Sequence, residues 1–255
     1  MIKNRLLSVI RKILDMRAKK ILKSNQELWR TLNEYLKNSS STGSNYSDYL
    51  SLYNYVKNNR PIEILECGTG VSTIILAQAF KDHSIDGRIT SLESEKKYFD
   101  LALSILPKYL AKYIDIKLSP VIEDSYSLFR GCRYKDIPLD RVYDFVYIDG
   151  PSYKAPSDNT LTFDFDFLYI LKQSDSPISA IVDKRISTCY VLQKVLGTHK
   201  VKYDSLRHQG FINNCTKNDI RHFSLREPSS AFSESFSIFK NSKLRLILKD
   251  FLYEQ

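Results

Sequence analysis

The chain has 255 residues, 43% of them hydrophobic and 12% aromatic, which is enough apolar material for one large domain with a sizeable core. With only eight glycines and eight prolines, the composition excludes collagen-like and long low-complexity tracts, and no apolar run approaches the ~20 residues that span a bilayer. The net charge of +9 is concentrated in residues 1–40, which hold ten Lys or Arg and three acids; because a nucleic-acid enzyme is expected to carry basic residues around its cleft, this distribution argues against a nucleic-acid partner.

Residues 1–37 predict a basic amphipathic helical extension. Apolar residues recur at helical spacing from Ile2 to Leu36, with Lys and Arg between them. Three interpretations stay open: the apolar face packs on the main domain, it forms a homo-oligomer contact, or it lies on an anionic membrane surface. We expect no signal peptide, because charges interrupt every apolar stretch that could form one.

Residues 38–47 are rich in Ser and Asn and predict a linker or a mobile lid. A short helix is predicted at 49–58 and another in the tail at 236–253. We therefore divide the chain into a basic helical extension with its linker at 1–47, a main domain at 48–230 and a helical tail at 231–255.

Strands and helices alternate through the main domain. The predicted strands span residues 62–67, 87–93, 114–121, 142–149, 178–183, 200–206 and 221–226, and the predicted helices span 72–80, 95–110, 163–172 and 188–196. This alternation predicts an α/β fold of the Rossmann-like, doubly wound type, with a mostly parallel seven-stranded sheet covered by helices on both faces. Because no helix separates the last two strands, we expect one antiparallel edge strand.

The turn after the first strand carries the strongest motif: an acid, Glu66, followed by Gly68 and Gly70. Glycine lets the backbone approach a ligand closely at the carboxyl end of a buried strand. A dinucleotide fingerprint would have a third glycine where Thr73 stands. The acid-x-Gly-x-Gly pattern instead resembles the first motif of class I S-adenosylmethionine-dependent methyltransferases. The resemblance implies that these residues, with Ser72, surround the methionine part of the cofactor; the alternative is a glycine turn of some other α/β protein.

Acids also follow the second and third predicted strands. Glu93 ends the second strand, where a carboxylate can accept both hydroxyls of an adenosine ribose, as the methyltransferase resemblance also implies. A helix N-terminal acid is the alternative interpretation. For Glu123 and Asp124, after the third strand, the resemblance implies a place beside the adenine ring, and the alternative is two solvated loop acids.

The fourth strand ends in Asp149-Gly150-Pro151, which resembles the fourth methyltransferase motif, particularly in small-molecule and sugar O-methyltransferases. We expect Asp149 to be catalytic or to orient the substrate, because a nearby base takes the proton as the new C–O bond forms. Alternatively, Asp149 caps the following turn. Tyr153, in the polar loop that follows, is predicted to contact the acceptor unless the loop is an ordinary surface turn.

The fifth strand ends in Asp183-Lys184-Arg185. Asp149 and Asp183 together can bind a divalent cation such as Mg²⁺. This pair resembles the metal site of catechol-type O-methyltransferases, although Lys184 stands where that group has Asn and the chain lacks the group's Lys-containing motif after the strand-four Asp. Lys184 can instead replace the cation or act as a base, and Arg185 can clamp a carboxylate or phosphate of the acceptor. For both basic residues the alternative is a solvated pair at a strand end.

Neither the four cysteines nor the four histidines form a metal motif. Scattered cysteines of this kind are typical of reduced thiols in the cytoplasm. We therefore expect a cytoplasmic protein, with residues 1–37 as its contact to the inner face of a membrane if the third interpretation of the extension holds.

The ordered matches at successive strand ends predict a class I S-adenosylmethionine-dependent methyltransferase that methylates an oxygen atom. The expected acceptor is a small molecule, with a sugar or surface-glycan precursor as our choice. Two alternatives belong to other classes. One is a nicotinamide-dependent oxidoreductase, which the missing third glycine disfavours, and the other is a non-catalytic, membrane-associated adaptor on the same fold.

Overall fold

The computed structural model describes residues 2–39, 45–127 and 129–221. Its helices are α1 (Ile2–Ser24), α2 (Gln26–Asn38), α3 (Tyr46–Asn59), α4 (Val71–Asp82), α5 (Lys96–Ile105), α6 (Asp166–Leu171) and α7 (Ile186–Leu196). Its strands are β1 (Glu63–Cys67), β2 (Arg88–Glu93), β3 (Ile114–Leu118), β4 (Val121–Tyr126), β5 (Phe129–Tyr134), β6 (Phe145–Ile148), β7 (Phe163–Asp164), β8 (Ile178–Asp183), β9 (Val201–Asp204) and β10 (Gln209–Cys215).

The main sheet has seven strands in the order β3-β2-β1-β6-β8-β10-β9. All pairs are parallel except those of β10, which runs antiparallel to β8 and β9 and lies second from the edge. Every residue of β6 and β8 is buried, as expected for central strands covered on both faces. The predicted Rossmann-like fold is confirmed. Strand order reverses between β1 and β6, so their carboxyl ends open a crevice there.

A second, three-stranded sheet of β4, β5 and β7 was not predicted. The third strand was expected to run to residue 121, but β3 ends at Leu118 and Val121 begins β4. Pro120, which has no N–H for a sheet ladder, lies between them. The helix expected at 163–172 starts only at Asp166, because the alternating Phe and Asp residues before it have the period of a strand and form β7.

The last two strands were predicted at 200–206 and 221–226, joined by a loop. The loop prediction is wrong over residues 209–215, because these form β10, which pairs with both β9 and β8. Its sequence contains Gly210 and two Asn residues, which are poor strand formers, so pairing with its neighbours overrides local preference. Residues 222–226 and the helix predicted at 236–253 lie outside the described residues, as does half of the predicted linker (40–44).

The two N-terminal helices pack on the main domain. Leu28, Leu32 and Tyr35 of α2 are buried and belong to the same apolar cluster as Leu22 of α1 and the buried face of α4. Of the three interpretations of the extension, the structure supports this packing for the C-terminal half of α1 and for α2. The homo-oligomer and membrane interpretations stay predictions.

α1 also carries exposed apolar side chains along its length. Val9, Ile13, Met16 and Ile21 are 40–63% exposed, whereas Ala18 and Leu22 are buried. No helix in the described ranges has both the length and the apolar character needed to cross a membrane.

Replacing Leu32, which is fully buried in α2, with Ala should lower the free energy of unfolding by about 2–5 kcal/mol, because a cavity forms between the helices. Ile21→Ala is the matched control on α1: its side chain is 54% exposed, and a loss of about 0.5 kcal/mol or less is expected. Urea denaturation of both variants measures the difference. Equal effects would mean that α2 does not share the core.

Candidate active site

Two glycine turns meet at the reversal point of the sheet. Gly68 follows β1 with φ of +100°, a left-handed conformation that favours glycine. A Cβ on Gly68 would lie 2.9 Å from the nitrogen of Gly150, and a Cβ on Gly150 would lie 2.8 Å from the Cα of Gly68. The turns after β1 and β6 therefore contact each other backbone to backbone, at a distance that only glycine permits.

Glu66 supports the first turn from beneath. Its Oε2 accepts hydrogen bonds from the hydroxyls of Thr73 and Ser91, both at 2.6 Å. The Thr73 hydroxyl in turn accepts from the Gly70 N–H at 3.0 Å. Burial raises the pKa of Glu66 to about 7, and its Oε1 has no hydrogen-bond partner in the described part of the chain. Glu66 therefore fixes the turn and the start of α4.

The crevice between the turns has a volume of about 250 Å³, slightly below the usual range of small-molecule pockets, so an extended ligand would stay partly exposed. Its lining residues are Gly68, Thr69, Gly70, Val71, Ser72, Glu93, Ser94, Glu95, Tyr98, Tyr134, Asp149, Gly150, Pro151, Ser152 and Arg185. Of the first-turn residues predicted to contact a cofactor, Gly68, Gly70 and Ser72 line the crevice. Glu66 and Thr73 are not among its lining residues and act through the turn.

Glu93 lies at the end of β2 on the crevice wall. Its Oε1 accepts hydrogen bonds from the backbone N–H groups of Ser94 at 2.7 Å and Glu95 at 2.9 Å. The side chain is nearly buried, and this burial raises the pKa of Glu93 above its ordinary value. The Oε1 atom is thus anchored to the start of α5, whereas Oε2 takes no part in these two hydrogen bonds.

Arg185 braces the second turn. Its Nη1 donates to the carbonyl oxygen of Pro151 at 2.7 Å and to Asp164 Oδ1 at 2.8 Å, and its Nη2 donates to the carbonyl oxygen of Asp149 at 2.7 Å. Asp164 also accepts from the Thr188 hydroxyl at 2.8 Å. Arg185 was predicted to clamp the acceptor, but these contacts occupy its guanidinium and make it a positioning residue for the turn.

Three carboxylates and one ammonium lie where the crevice meets β8. The Nζ of Lys184 is 3.6 Å from Asp48 Oδ2 and 3.9 Å from Asp183 Oδ2. Burial and the negative charge of Asp149 raise the pKa of Asp183. Asp149 reaches solvent through the crevice, yet the surrounding protein desolvates it enough to raise its pKa as well. The two carboxyl groups therefore resist ionising together.

Asp48 was missed by the sequence interpretation. It lies in the first turn of α3, where its Oδ2 accepts from the backbone N–H of Asn45 at 2.9 Å. The Asn-x-x-Asp spacing of a capping box was visible in the sequence. That spacing predicts a helix start, however, and not a carboxylate beside β8.

The donor set around Asp149 and Asp183 does not fit the divalent cation that the sequence left open. The ammonium of Lys184 lies 3.9 Å from Asp183 Oδ2, so a positive charge already stands beside this carboxylate. Within the described residues, no group of three or more His, Cys, Asp or Glu side chains could hold a metal ion.

Glu123 and Asp124 lie on β4 and not in a loop beside the crevice. Although burial acts in the opposite direction, hydrogen bonds from Arg130 and Ser157 lower the pKa of Glu123 to about 2. Asp124 is paired with Arg133 at 2.5 Å. Both acids serve the second sheet, so we leave them out of the candidate cofactor site.

Tyr153 lies just beyond the crevice wall. It follows Ser152, which lines the crevice, and its side chain is 45% exposed. The guanidinium of Arg185 lies over its ring at 5.3 Å from the centroid. This exposed ring beside the second turn keeps Tyr153 a candidate contact for an acceptor.

No family model and no curated protein matches this sequence. Among solved structures, the chain is similar to an O-methyltransferase from Bacillus cereus in complex with S-adenosylhomocysteine, at 20% identity and a TM-score of 0.47, over 72% of this chain and 89% of that one. It is also similar to the O-methyltransferase TomG from Streptomyces achromogenes, involved in tomaymycin synthesis and bound to S-adenosylmethionine, at 16% identity and a TM-score of 0.47, over 73% and 88% of the two chains. Those activities and ligands belong to those proteins, and the fold of this chain is defined by its own strand order.

Gly68→Ala should lower the free energy of unfolding by about 2 kcal/mol or more, because a side chain at positive φ is strained and its Cβ meets the Gly150 backbone. Gly70→Ala is the matched control. Its Cβ would have nothing within 4 Å, so about 1 kcal/mol or less is expected, mainly from the poorer helix cap. Thermal and urea unfolding of the two variants test this, and equal losses would contradict the backbone contact between the turns.

Proposed function

We propose that this chain is an S-adenosylmethionine-dependent methyltransferase that methylates a hydroxyl oxygen of a small molecule. The observation that carries the proposal is the crevice at the reversal point of the sheet, where the Gly68 and Gly150 turns face Glu93. When bound, the cofactor supplies an electrophilic sulfonium methyl group.

The charges of the crevice support a cationic nucleoside over a dinucleotide. Three acids, Glu93, Glu95 and Asp149, line it, and the basic Arg185 is neutralised by Asp164. S-adenosylmethionine carries a sulfonium and an ammonium against one carboxylate, so a negative wall attracts it. The pyrophosphate of NAD is negative and would be repelled by the same wall.

The shape of the crevice supports the same ligand. Gly70 leaves open space where a side chain would project, so a ligand can lie directly on the backbone. Glu93, with one oxygen anchored by two backbone amides, is placed to accept hydrogen bonds from a ribose. We assign Gly68, Gly70, Ser72 and Glu93 to cofactor contact, and Glu66 and Thr73 to holding the turn.

Asp149 and Asp183 supply the base in this proposal. Both have raised pKa values, which makes a carboxylate a stronger proton acceptor near neutral pH. As the acceptor oxygen bonded to the methyl group and the bond from that methyl to the cofactor's sulfur broke, the hydroxyl proton would pass to Asp149, the member of the pair that lines the crevice. Lys184 stabilises negative charge on the pair through its contact with Asp183.

The finer parts of the proposal concern the acceptor and the location. We choose a sugar or surface-glycan precursor, because Asp149-Gly150-Pro151 resembles the motif of sugar O-methyltransferases. The exposed apolar residues of α1, with Lys and Arg beside them, support contact with an anionic membrane surface. The competing interpretation is that a second copy of the chain covers these residues. All four cysteines are free and buried, which supports a reducing, cytoplasmic compartment.

Calorimetric titration should detect binding of S-adenosylmethionine and no binding of NAD. Glu93→Gln keeps an acceptor for the two backbone amides but loses the charge and one acceptor oxygen, so affinity should fall about tenfold or more. Glu95→Gln is the matched control, since Glu95 also lines the crevice but is exposed, and a change below about threefold is expected. Binding of NAD alone would overturn the proposal.

Radiolabelled methyl transfer from the cofactor to fractionated cell extract should rise from acidic to neutral pH. A raised pKa keeps the base protonated and inactive at low pH, and activity appears as the pair loses its proton. Asp149→Asn should lower the rate by about 10²–10⁴-fold. Asp183→Asn should move the rising limb to lower pH, because it removes the charge that repels the ionised Asp149.

The exposed Asp175 provides the control, since Asp175→Asn should leave both rate and pH profile unchanged. A chelator should have no effect, because the donor set at Asp149 and Asp183 does not fit a metal. A flat pH profile or full activity of Asp149→Asn would contradict the base assignment. Tight cofactor binding without transfer to any fraction would favour the adaptor.

A further inference from the structure

A second cavity, about 540 Å³ in volume, lies between α1 and the turn that joins β9 to β10. We call it the basic pocket. Its charged lining consists of Arg11, Lys12, Asp15, Lys184 and Arg207, together with His208. The volume falls within the range of small-molecule sites, and four cationic side chains face one acid.

The positive charge of the basic pocket is not fully balanced by protein groups. Arg207 pairs with Asp204 at 3.1 Å, and Lys184 contacts Asp48 and Asp183. By contrast, none of the salt bridges among the described residues involves Arg11 or Lys12. These two cations of α1 are therefore available to an anion.

Arg11 is held in place at the pocket, because its Nη2 donates to the carbonyl oxygen of Ser205 at 2.8 Å. Its guanidinium is therefore fixed in position before any ligand arrives, which lowers the ordering cost of binding an anion.

The basic pocket and the crevice are lined by consecutive residues at the end of β8. Lys184 lines the pocket, and the next residue, Arg185, lines the crevice. The Lys184 ammonium contacts the buried Asp183, and Asp149 lies on the crevice wall. This closeness in the chain is the reason for linking the pocket to the acceptor.

We propose that the basic pocket binds the phosphate group of the acceptor, carried either by a soluble phosphate ester or by a lipid headgroup. A phosphate has three acceptor oxygens and up to two negative charges, which match guanidinium and ammonium donors on several sides. A carboxylate offers two oxygens in one plane and would leave part of this donor set unused. The assignment of this phosphate to a methyl acceptor rests on the proposed function, whereas the binding itself does not.

The test is calorimetric titration of the full chain with inorganic pyrophosphate at constant ionic strength. The double variant Arg11→Gln/Lys12→Gln should bind at least about tenfold more weakly, because two charge-assisted contacts are lost. The double variant Arg17→Gln/Lys20→Gln is the matched control: it removes the same charge from exposed positions of the same helix, outside the pocket lining. Its pyrophosphate affinity should stay within about twofold of the parent chain.

S-adenosylmethionine affinity, measured on the same samples, should be unchanged in both double variants, which shows that the crevice stays intact. If pyrophosphate binding shows the expected pattern but no variant or parent binds the cofactor, the pocket stands and the proposed function fails. Absence of pyrophosphate binding at millimolar concentration, or equal weakening in both double variants, overturns the pocket.

Flotation with phosphatidylglycerol vesicles, against phosphatidylcholine vesicles, separates the two sources of phosphate. Vesicle binding that is lost in Arg11→Gln/Lys12→Gln and kept in Arg17→Gln/Lys20→Gln supports a lipid headgroup. Vesicle binding that is absent, or equal in both variants, together with selective loss of pyrophosphate binding, supports a soluble phosphate ester.

Discussion

The backbone contact between the turns after β1 and β6 is the constraint on which the candidate site depends. Gly68 and Gly150 lie so close that a Cβ on either would overlap the other turn. This approach sets the width of the crevice and brings the ends of two central strands together. Glu66 beneath the first turn and Arg185 beneath the second hold that contact from opposite sides.

Both supports are buried ionisable groups, which proteins rarely tolerate without partners. Arg185 is compensated by Asp164 and by two carbonyl oxygens. Glu66 relies on hydroxyl donors, and burial shifts its pKa upward. A purely structural turn could be held by apolar packing at lower cost. With these two buried groups, hydrogen bonds of defined direction hold the walls of the crevice, so its geometry is more closely fixed than apolar packing alone would make it.

The sequence was sufficient to predict those features that depend on local order along the chain. Glycine turns and acids at strand ends marked Gly68, Glu93, Asp149 and Asp183, because parallel strands bring their carboxyl ends to one edge. What it could not predict depends on contacts between distant segments. Arg11 meets Ser205, 194 positions away, and β10 forms despite a weak strand sequence because β8 and β9 pair with it.

The packing of α1 connects the fold to the second cavity. One face of α1 turns toward the protein: Leu14 is partly buried, and Ala18 and Leu22 are buried. Polar contacts of Arg11 with Ser205 and of Asp15 with Ser47 hold the same helix against the hairpin and the start of α3. These contacts place Arg11 and Asp15 at the wall of the basic pocket beside Lys184, so the packing that anchors the helix also builds the pocket.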